Sequence, residues 1–417
     1  MTRRKKVLLT PVSTVLAHTG RCLVLARELQ ARGHHVILAG TPKYLRNPDI
    51  VYNHPFDYYE ITDFDLDEGL DVIRTIGKTL SRSTVDGQIR AELTMLERLR
   101  PDLVIADFRL TMYISARVVK VPLVSLLSGQ WMQQYVAKGF KAFRTLSLYP
   151  FVRSVVGKRG ADLIMPPFQR LMIRYKMGPF RQALRKYQLE KKKTLWELLV
   201  GDFNLILDTA LWSPMQTLPN NFRQVGPIVW TLEAPVPQWL STLDKKRPLI
   251  YLTMGSTGHK GLFQKLVTML AQTDYQTIIS TGGQVTLGRE NLPQNVYIAE
   301  LLPGEKIMER ADMVIYHGGN GTAYQAMKTG TPCIVIATHM DQELQGRTTE
   351  EHGVGIFLTM REVMTNPTLA MKAVEKVLAD LPTYRQNMRK LQVDLLRYDG
   401  VKRAADGIEE FINQLEK

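Results

Sequence analysis

One stretch constrains the fold more than any other: Met313-Val-Ile-Tyr-His317-Gly-Gly-Asn-Gly-Thr322, running on through Gly330 into Thr331-Pro-Cys-Ile-Val-Ile336. The first short apolar run suits a buried strand. A glycine-rich turn follows, then apolar residues at helical spacing (Ala323, Ala326, Met327), then a second apolar run after Pro332. Strand, tight turn, helix and strand in that order predict a parallel βαβ unit. Gly318, Gly319 and Gly321 allow positive φ and close backbone approach. The turn opens a helix whose first N–H groups have no partner within the helix. Such a place favours an anion, most often a phosphate. His317 and Thr322 add side-chain donors for the same oxygens.

A chain of 417 residues exceeds one ordinary core, so two domains are expected. Val7–Val12, His35–Ala39, Asp57–Ile61, Asp102–Ala106 and Val121–Leu127 read as strands. Helical stretches lie between them around Leu23–Leu29 and Glu92–Leu99. Alternating β and α elements imply a doubly wound parallel sheet. The first turn lacks Gly-x-Gly-x-x-Gly, which argues against a dinucleotide site there. Residues 211–247, rich in Pro, Asn and Gln, read as a linker. A second α/β unit spans 248–395, with Gly255-Ser256 after its first strand. A closing helix over 396–417 is expected to pack back on residues 1–210, the first domain.

Net charge is +14, and it is placed unevenly. Residues 131–200 hold fifteen Lys plus Arg against three Asp plus Glu, a net +12. Phe168, Leu171, Met172 and Tyr175 are expected on one helix face, flanked by Arg170, Arg174 and Lys176. A basic amphipathic helix suits an anionic membrane surface. The alternative is a helix whose apolar face is core. Nucleic acid is not expected, because base-stacking platforms and a recognisable motif are missing. Cys22 and Cys333 are too few for a disulfide framework and read as core residues in a reducing, cytoplasmic setting. The basic start leads into a strand broken by Pro11, not a signal peptide. No apolar run is long enough to span a bilayer, so any membrane contact is expected to be peripheral, on the inner face.

The blocks around the opening motif resemble those of the family 1 glycosyltransferases of the GT-B fold. These are His317-Gly-Gly-Asn-Gly-Thr322, Gly330-Thr-Pro332, Asp341-Gln342, Trp239-Leu240 and Gly255-Ser256, in the family's order. The resemblance covers nearly the whole chain outside 131–200. It implies two Rossmann-like domains whose parallel sheets face each other across a cleft. It implies that His317, with the Gly319, Asn320, Gly321 and Thr322 turn, holds a diphosphate, helped by Ser256. Leu301 and Leu302 would sit at the pyrimidine, and Asp341 and Gln342 at hydroxyls of the transferred sugar. The family usually has Glu where this chain has Gln325, a weaker partner for ribose. The resemblance makes a UDP-sugar the expected donor, and Gln325 leaves dTDP open as the alternative. No metal and no further cofactor is expected; Asp63-Phe-Asp-Leu-Asp67 is read as an acidic loop.

An alcohol attacks an anomeric carbon only once a base takes its proton. His18, just after the first strand, carries the side chain suited to that task near neutral pH. Asp107 ends a parallel strand, where functional residues of such sheets gather. It would orient the imidazole and balance its charge, and the resemblance implies the same pair. The expected activity is inverting transfer of a hexose, glucose foremost, from UDP-sugar to a hydroxyl of a lipophilic small molecule. The alternatives are a membrane-associated enzyme glycosylating a lipid, a nucleotide-sugar 2-epimerase, and a non-catalytic module binding anionic surfaces.

Overall fold

Runs of Val, Ile and Leu line up as two separate parallel sheets in the structure, a computed structural model that describes residues 4–51, 56–75, 77–132, 142–255, 257–282 and 292–417. The chain forms two units. The first holds the chain up to Ala142, Ser147–Trp230 and Tyr398–Lys417; the second holds Phe143–Leu146 and Thr231–Arg397.

The sheet of the first unit contains β1 (Lys6–Pro11), β2 (His35–Gly40), β3 (Asp57–Glu60), β4 (Leu103–Asp107), β5 (Leu123–Leu127), β6 (Phe203–Ile206) and β7 (Phe222–Gln224). Their order is β3-β2-β1-β4-β5-β6-β7, parallel at every pairing. β4 and β5 are buried along their whole length, as strands covered on both faces must be. Strand order reverses between β1 and β4, so the crevice of this sheet opens at their carboxyl ends. Helix Leu16–Ala31 follows β1 and packs beside helix Gly400–Leu415, which brings Ala404, Ile408 and Ile412 into the same core. Arg32 joins the two helices, donating to Asp406 at 2.6 Å and Glu409 at 2.8 Å.

The second unit contains β8 (Leu249–Thr253), β9 (Gln276–Ser280), β10 (Val296–Ala299), β11 (Met313–Tyr316), β12 (Cys333–Ala337) and β13 (Gly355–Thr359), ordered β10-β9-β8-β11-β12-β13 and parallel. Here the order reverses between β8 and β11.

Three details depart from the sequence reading. The Pro-rich stretch expected as linker contributes the edge strand β7, whose three residues are too few to show a period. Phe143–Leu146 groups with the second unit, where the buried Glu343 carboxylate accepts from Arg144 N at 2.8 Å and Thr145 N at 2.7 Å. The basic helix, Tyr149–Lys176, is rotated from the expected face. Ala161, Met165, Gln169, Met172 and Lys176 are buried, while Leu171 and Tyr175 lie in water. The Lys176 ammonium fixes that rotation by donating to the carbonyls of Val72 at 2.6 Å, Thr75 at 3.0 Å and Lys78 at 2.7 Å.

Candidate active site

In the first unit the side chains at the switch point converge on one carboxylate. Asp107 ends β4 opposite Pro11 of β1 and is fully buried. His18, in the first turn of helix Leu16–Ala31, places Nδ1 2.8 Å from Asp107 Oδ1. Arg21, one helical turn on, donates Nη2 to the same oxygen at 2.6 Å and Nε to Asp107 Oδ2. Arg21 Nη2 also lies 2.7 Å from His18 Nδ1. Burial pushes the Asp107 carboxyl up, but the Arg21 charge and His18 more than offset it, so its pKa falls below the usual range. A carboxylate therefore lies under the imidazole at neutral pH. When Nδ1–H is donated to it, Nε2 is left as the proton acceptor.

An aromatic row continues from that imidazole. The His18 ring stacks on Phe108 with centroids 5.5 Å apart. Phe108 meets Trp131 at 5.1 Å, and Trp131 meets Trp196 at 4.4 Å. Leu127, Leu199, Met215 and Leu218 pack around them. Behind the row, buried Arg109 binds Glu92 at 2.7 Å and pairs with Asp63, which also accepts from Ser13 N at 2.6 Å. Asp63 thus ties down the loop between β1 and His18, and its side chain is only 3% exposed. Asp65 caps the helix that follows, accepting from Glu68 N at 2.9 Å.

In the second unit the switch point is built from main chain. His317 follows β11 and is buried; its ring lies against Gly255, which follows β8. A Cβ on Gly255 would come 2.5 Å from His317 Cε1, so only glycine permits this approach. Gly318 has φ +97°, and a Cβ there would lie 2.7 Å from the carbonyl oxygen of Gln342. Gly319 precedes helix Asn320–Thr329 with no side-chain cap, so the amides of Asn320, Gly321 and Thr322 stay open to an anion. Burial pulls His317 down to about 4, so a neutral imidazole faces the turn at physiological pH.

Several buried polar atoms here have no partner among the described residues: His317 Nδ1, Asn320 Oδ1 and Gln342 Nε2. Orphaned buried polar atoms are rare and ask for a ligand. Gln342 lies in the first turn of helix Met340–Glu351 beside Asp341; its Oε1 accepts from Thr338 N and Oγ1, each at 2.8 Å. That leaves its Nε2 as a donor. Gln325 turns its amide toward Gly304, where a Cβ would lie 3.0 Å from Oε1, in the Pro303–Gly304 turn after Leu301 and Leu302. Leu302 is buried and Leu301 partly exposed. Ser256 lies outside the described residues.

His18 and Asp107 thus meet at the reversal of the first sheet, and His317, Gly318 and Gln342 lie together at that of the second. Sequence reasoning missed Arg21, Phe108, Trp131 and Trp196. A signal for Arg21 exists: it stands three residues after His18, on the face shared with Leu25 and Leu29, where an unpaired charge would be untenable.

Residues 264–399 match the family model for the erythromycin biosynthesis protein CIII-like C-terminal domain. The chain is similar to a "PGL/p-HBAD biosynthesis glycosyltransferase" of Mycobacterium tuberculosis, 30% identical over 395 residues, covering 93% of this chain and 88% of that one. Among solved structures it is similar to the calicheamicin glycosyltransferase CalG4, with TM-score 0.68, 20% identity and full coverage of both chains. It is also similar to the spinosyn rhamnosyltransferase SpnG complexed with thymidine diphosphate, with TM-score 0.66 and 16% identity over 99% of this chain and 100% of that one.

Proposed function

We propose a reaction for a chain that belongs to the family 1, GT-B glycosyltransferases: it moves a hexose from a pyrimidine-nucleoside diphosphate sugar to a hydroxyl of a lipophilic acceptor. His18 Nε2 takes the acceptor's proton. The acceptor oxygen bonds to the anomeric carbon as the bond from that carbon to the phosphate oxygen breaks. The nucleoside diphosphate leaves with the electron pair. One displacement inverts the anomeric centre. Asp107 holds the imidazole and stabilises the imidazolium. The observation that carries this reading is the His18–Asp107 contact of 2.8 Å at the sheet's reversal, with the aromatic row beside it.

The leaving diphosphate is stabilised by the open amides after Gly319 and by neutral His317, a preorganised set of dipoles. Asp341 and Gln342 Nε2 hold sugar hydroxyls, and Gln325 faces the nucleoside. A single amide suits the lone 3′-hydroxyl of a deoxyribose better than a ribose diol, for which a carboxylate accepts twice. This favours dTDP over UDP, in line with the thymidine diphosphate bound by one structural neighbour. No metal is assigned a role; among the described residues no cluster of His, Cys, Asp and Glu is set to hold one.

The acceptor is an aromatic or polyketide-like alcohol lying along Phe108, Trp131 and Trp196. A lipid acceptor is the second reading, favoured by the exposed apolar residues of helix Tyr149–Lys176. The test is a donor-by-acceptor screen read by mass, with dTDP- and UDP-hexoses against phenolic, polyketide and lipid alcohols. A mass gain of one hexose with dTDP or UDP released supports the reading. Product forming at the wild-type rate with His18→Ala refutes the base.

A further inference from the structure

Helix Tyr149–Lys176 carries two opposed apolar stripes, and among the described residues only one is buried. Ala161, Met165, Gln169, Met172 and Lys176 point inward. Leu163, Ile164, Leu171 and Tyr175 occupy an arc on the other side, with Leu163 77% and Leu171 64% exposed. At 100° per residue these four fall within roughly a third of the helix circumference. Arg159, Arg170 and Arg174 follow along one edge of that arc, beside Leu163, and all are exposed. Upstream of Gly157, whose φ of +72° breaks the helix, Phe151 and Val155 are also exposed. From Tyr149 to Lys186, through the adjoining helix Gly178–Lys186, nine Lys plus Arg face one acidic residue. That residue, Asp162, accepts from the Tyr149 hydroxyl at 2.9 Å.

We infer that this arc docks the enzyme on an anionic lipid surface, lying in the plane of the headgroups with its leucines among the acyl chains. Monomeric proteins rarely leave such a stripe in water. Its arginine edge decides what covers it. A second copy meeting it through a twofold axis would set the same arginines against each other. A lipid surface carrying negative headgroups instead satisfies the edge and the apolar arc together, as for other interfacial helices. The helix is long but too polar to cross: no helix among the described residues is long and apolar enough to span a membrane. The buried stripe and Lys176's three carbonyl partners keep the helix seated on its own unit while the arc faces outward.

The docking is independent of which sugar or acceptor is used, so it is tested without turnover. Full-length protein is sedimented with vesicles of phosphatidylcholine alone and of phosphatidylcholine mixed with phosphatidylglycerol. Binding is expected to the mixed vesicles only, and to fall as salt rises from about 0.05 M to about 0.5 M. Leu163→Ser with Ile164→Ser and Leu171→Ser is expected to weaken binding about tenfold or more. Because these side chains lie in water, the triple variant should melt as wild type does and keep its dTDP-induced shift in Tm. Failure of wild type to bind mixed vesicles at low salt overturns the inference. So does undiminished binding by a folded triple variant, or a wild-type dimer in light scattering that the triple variant dissociates.

Discussion

The two reversals of strand order solve opposite problems. Around Asp107 every charge is answered by a side chain: the carboxylate is gripped by Arg21 and touched by His18 within one buried cluster. Around His317 the chain uses no charged side chain at the turn; it uses glycines, open amides and an imidazole that burial keeps neutral. The first arrangement is complete without a ligand, which suits a group that must hold a proton briefly and return to its starting state. Among the described residues the second leaves His317 Nδ1 and Gln342 Nε2 unanswered, which suits a site completed by what it binds. A proton site must be preset; an anion site has to be left open.

The largest test of that contrast removes the proposed base. His18→Ala should lower kcat about a hundredfold to ten-thousandfold while leaving the dTDP-induced rise in Tm intact. A parallel loss of nucleotide binding would show that the two sites are not separable.

Arg21→Met comes next. It strands a buried carboxylate, at a cost of about 3–5 kcal/mol in urea unfolding. It also removes the group that holds Asp107 in place under His18, so kcat should fall while the dTDP-induced rise in Tm is kept. Arg21→Lys should restore kcat but only part of the stability, because Lys lacks the two-pronged fork. An unchanged kcat in Arg21→Met would reduce Arg21 to packing.

The second site should announce itself through pH. His317 is held near 4 when folded, against about 6.5 when exposed, so the folded state binds fewer protons between those values. Its contribution to stability is full above about pH 6.5 and is lost as pH falls toward 4, by at most about 3 kcal/mol. His317→Asn should flatten that slope. Saturating dTDP should flatten it in wild type as well, because a bound diphosphate favours the imidazolium. A slope unchanged by both would place no titrating imidazole there.

The smallest effect is expected at Gln325→Glu. A carboxylate gives two-point acceptance of a ribose diol, so UDP should gain up to about tenfold in affinity over dTDP, roughly 1.4 kcal/mol, as read from concentration-dependent thermal shifts.

Much of this was legible before the fold was known, and for a physical reason. A Gly-rich turn between a four-residue apolar strand and a helix admits few readings, so the His317 site and its sheet were plain. Asp107 was marked by its place at the end of a buried strand. Arg21 was marked as a paired charge by the apolar helix face it shares with Leu25 and Leu29, but its partner lies 86 positions away and no local period names it. The aromatic row was hidden, since Phe108, Trp131 and Trp196 meet only once β4 and β5 are side by side. The basic helix misled about its inward face. Two apolar stripes on one helix look alike in sequence, and the choice between them was made by a lysine reaching three carbonyls of another segment.

The helix Gly400–Leu415 returns to the unit in which the chain began. On the ribosome this reverses the usual order, in which the amino-terminal domain folds first. The early half must wait, its hydrophobic seam unsealed, until the later half has been made. Nascent chains halted before Tyr398 should accordingly be protected from protease over 248–395 and cleaved within 4–51, whereas release of residues 398–417 should close the earlier region in one step.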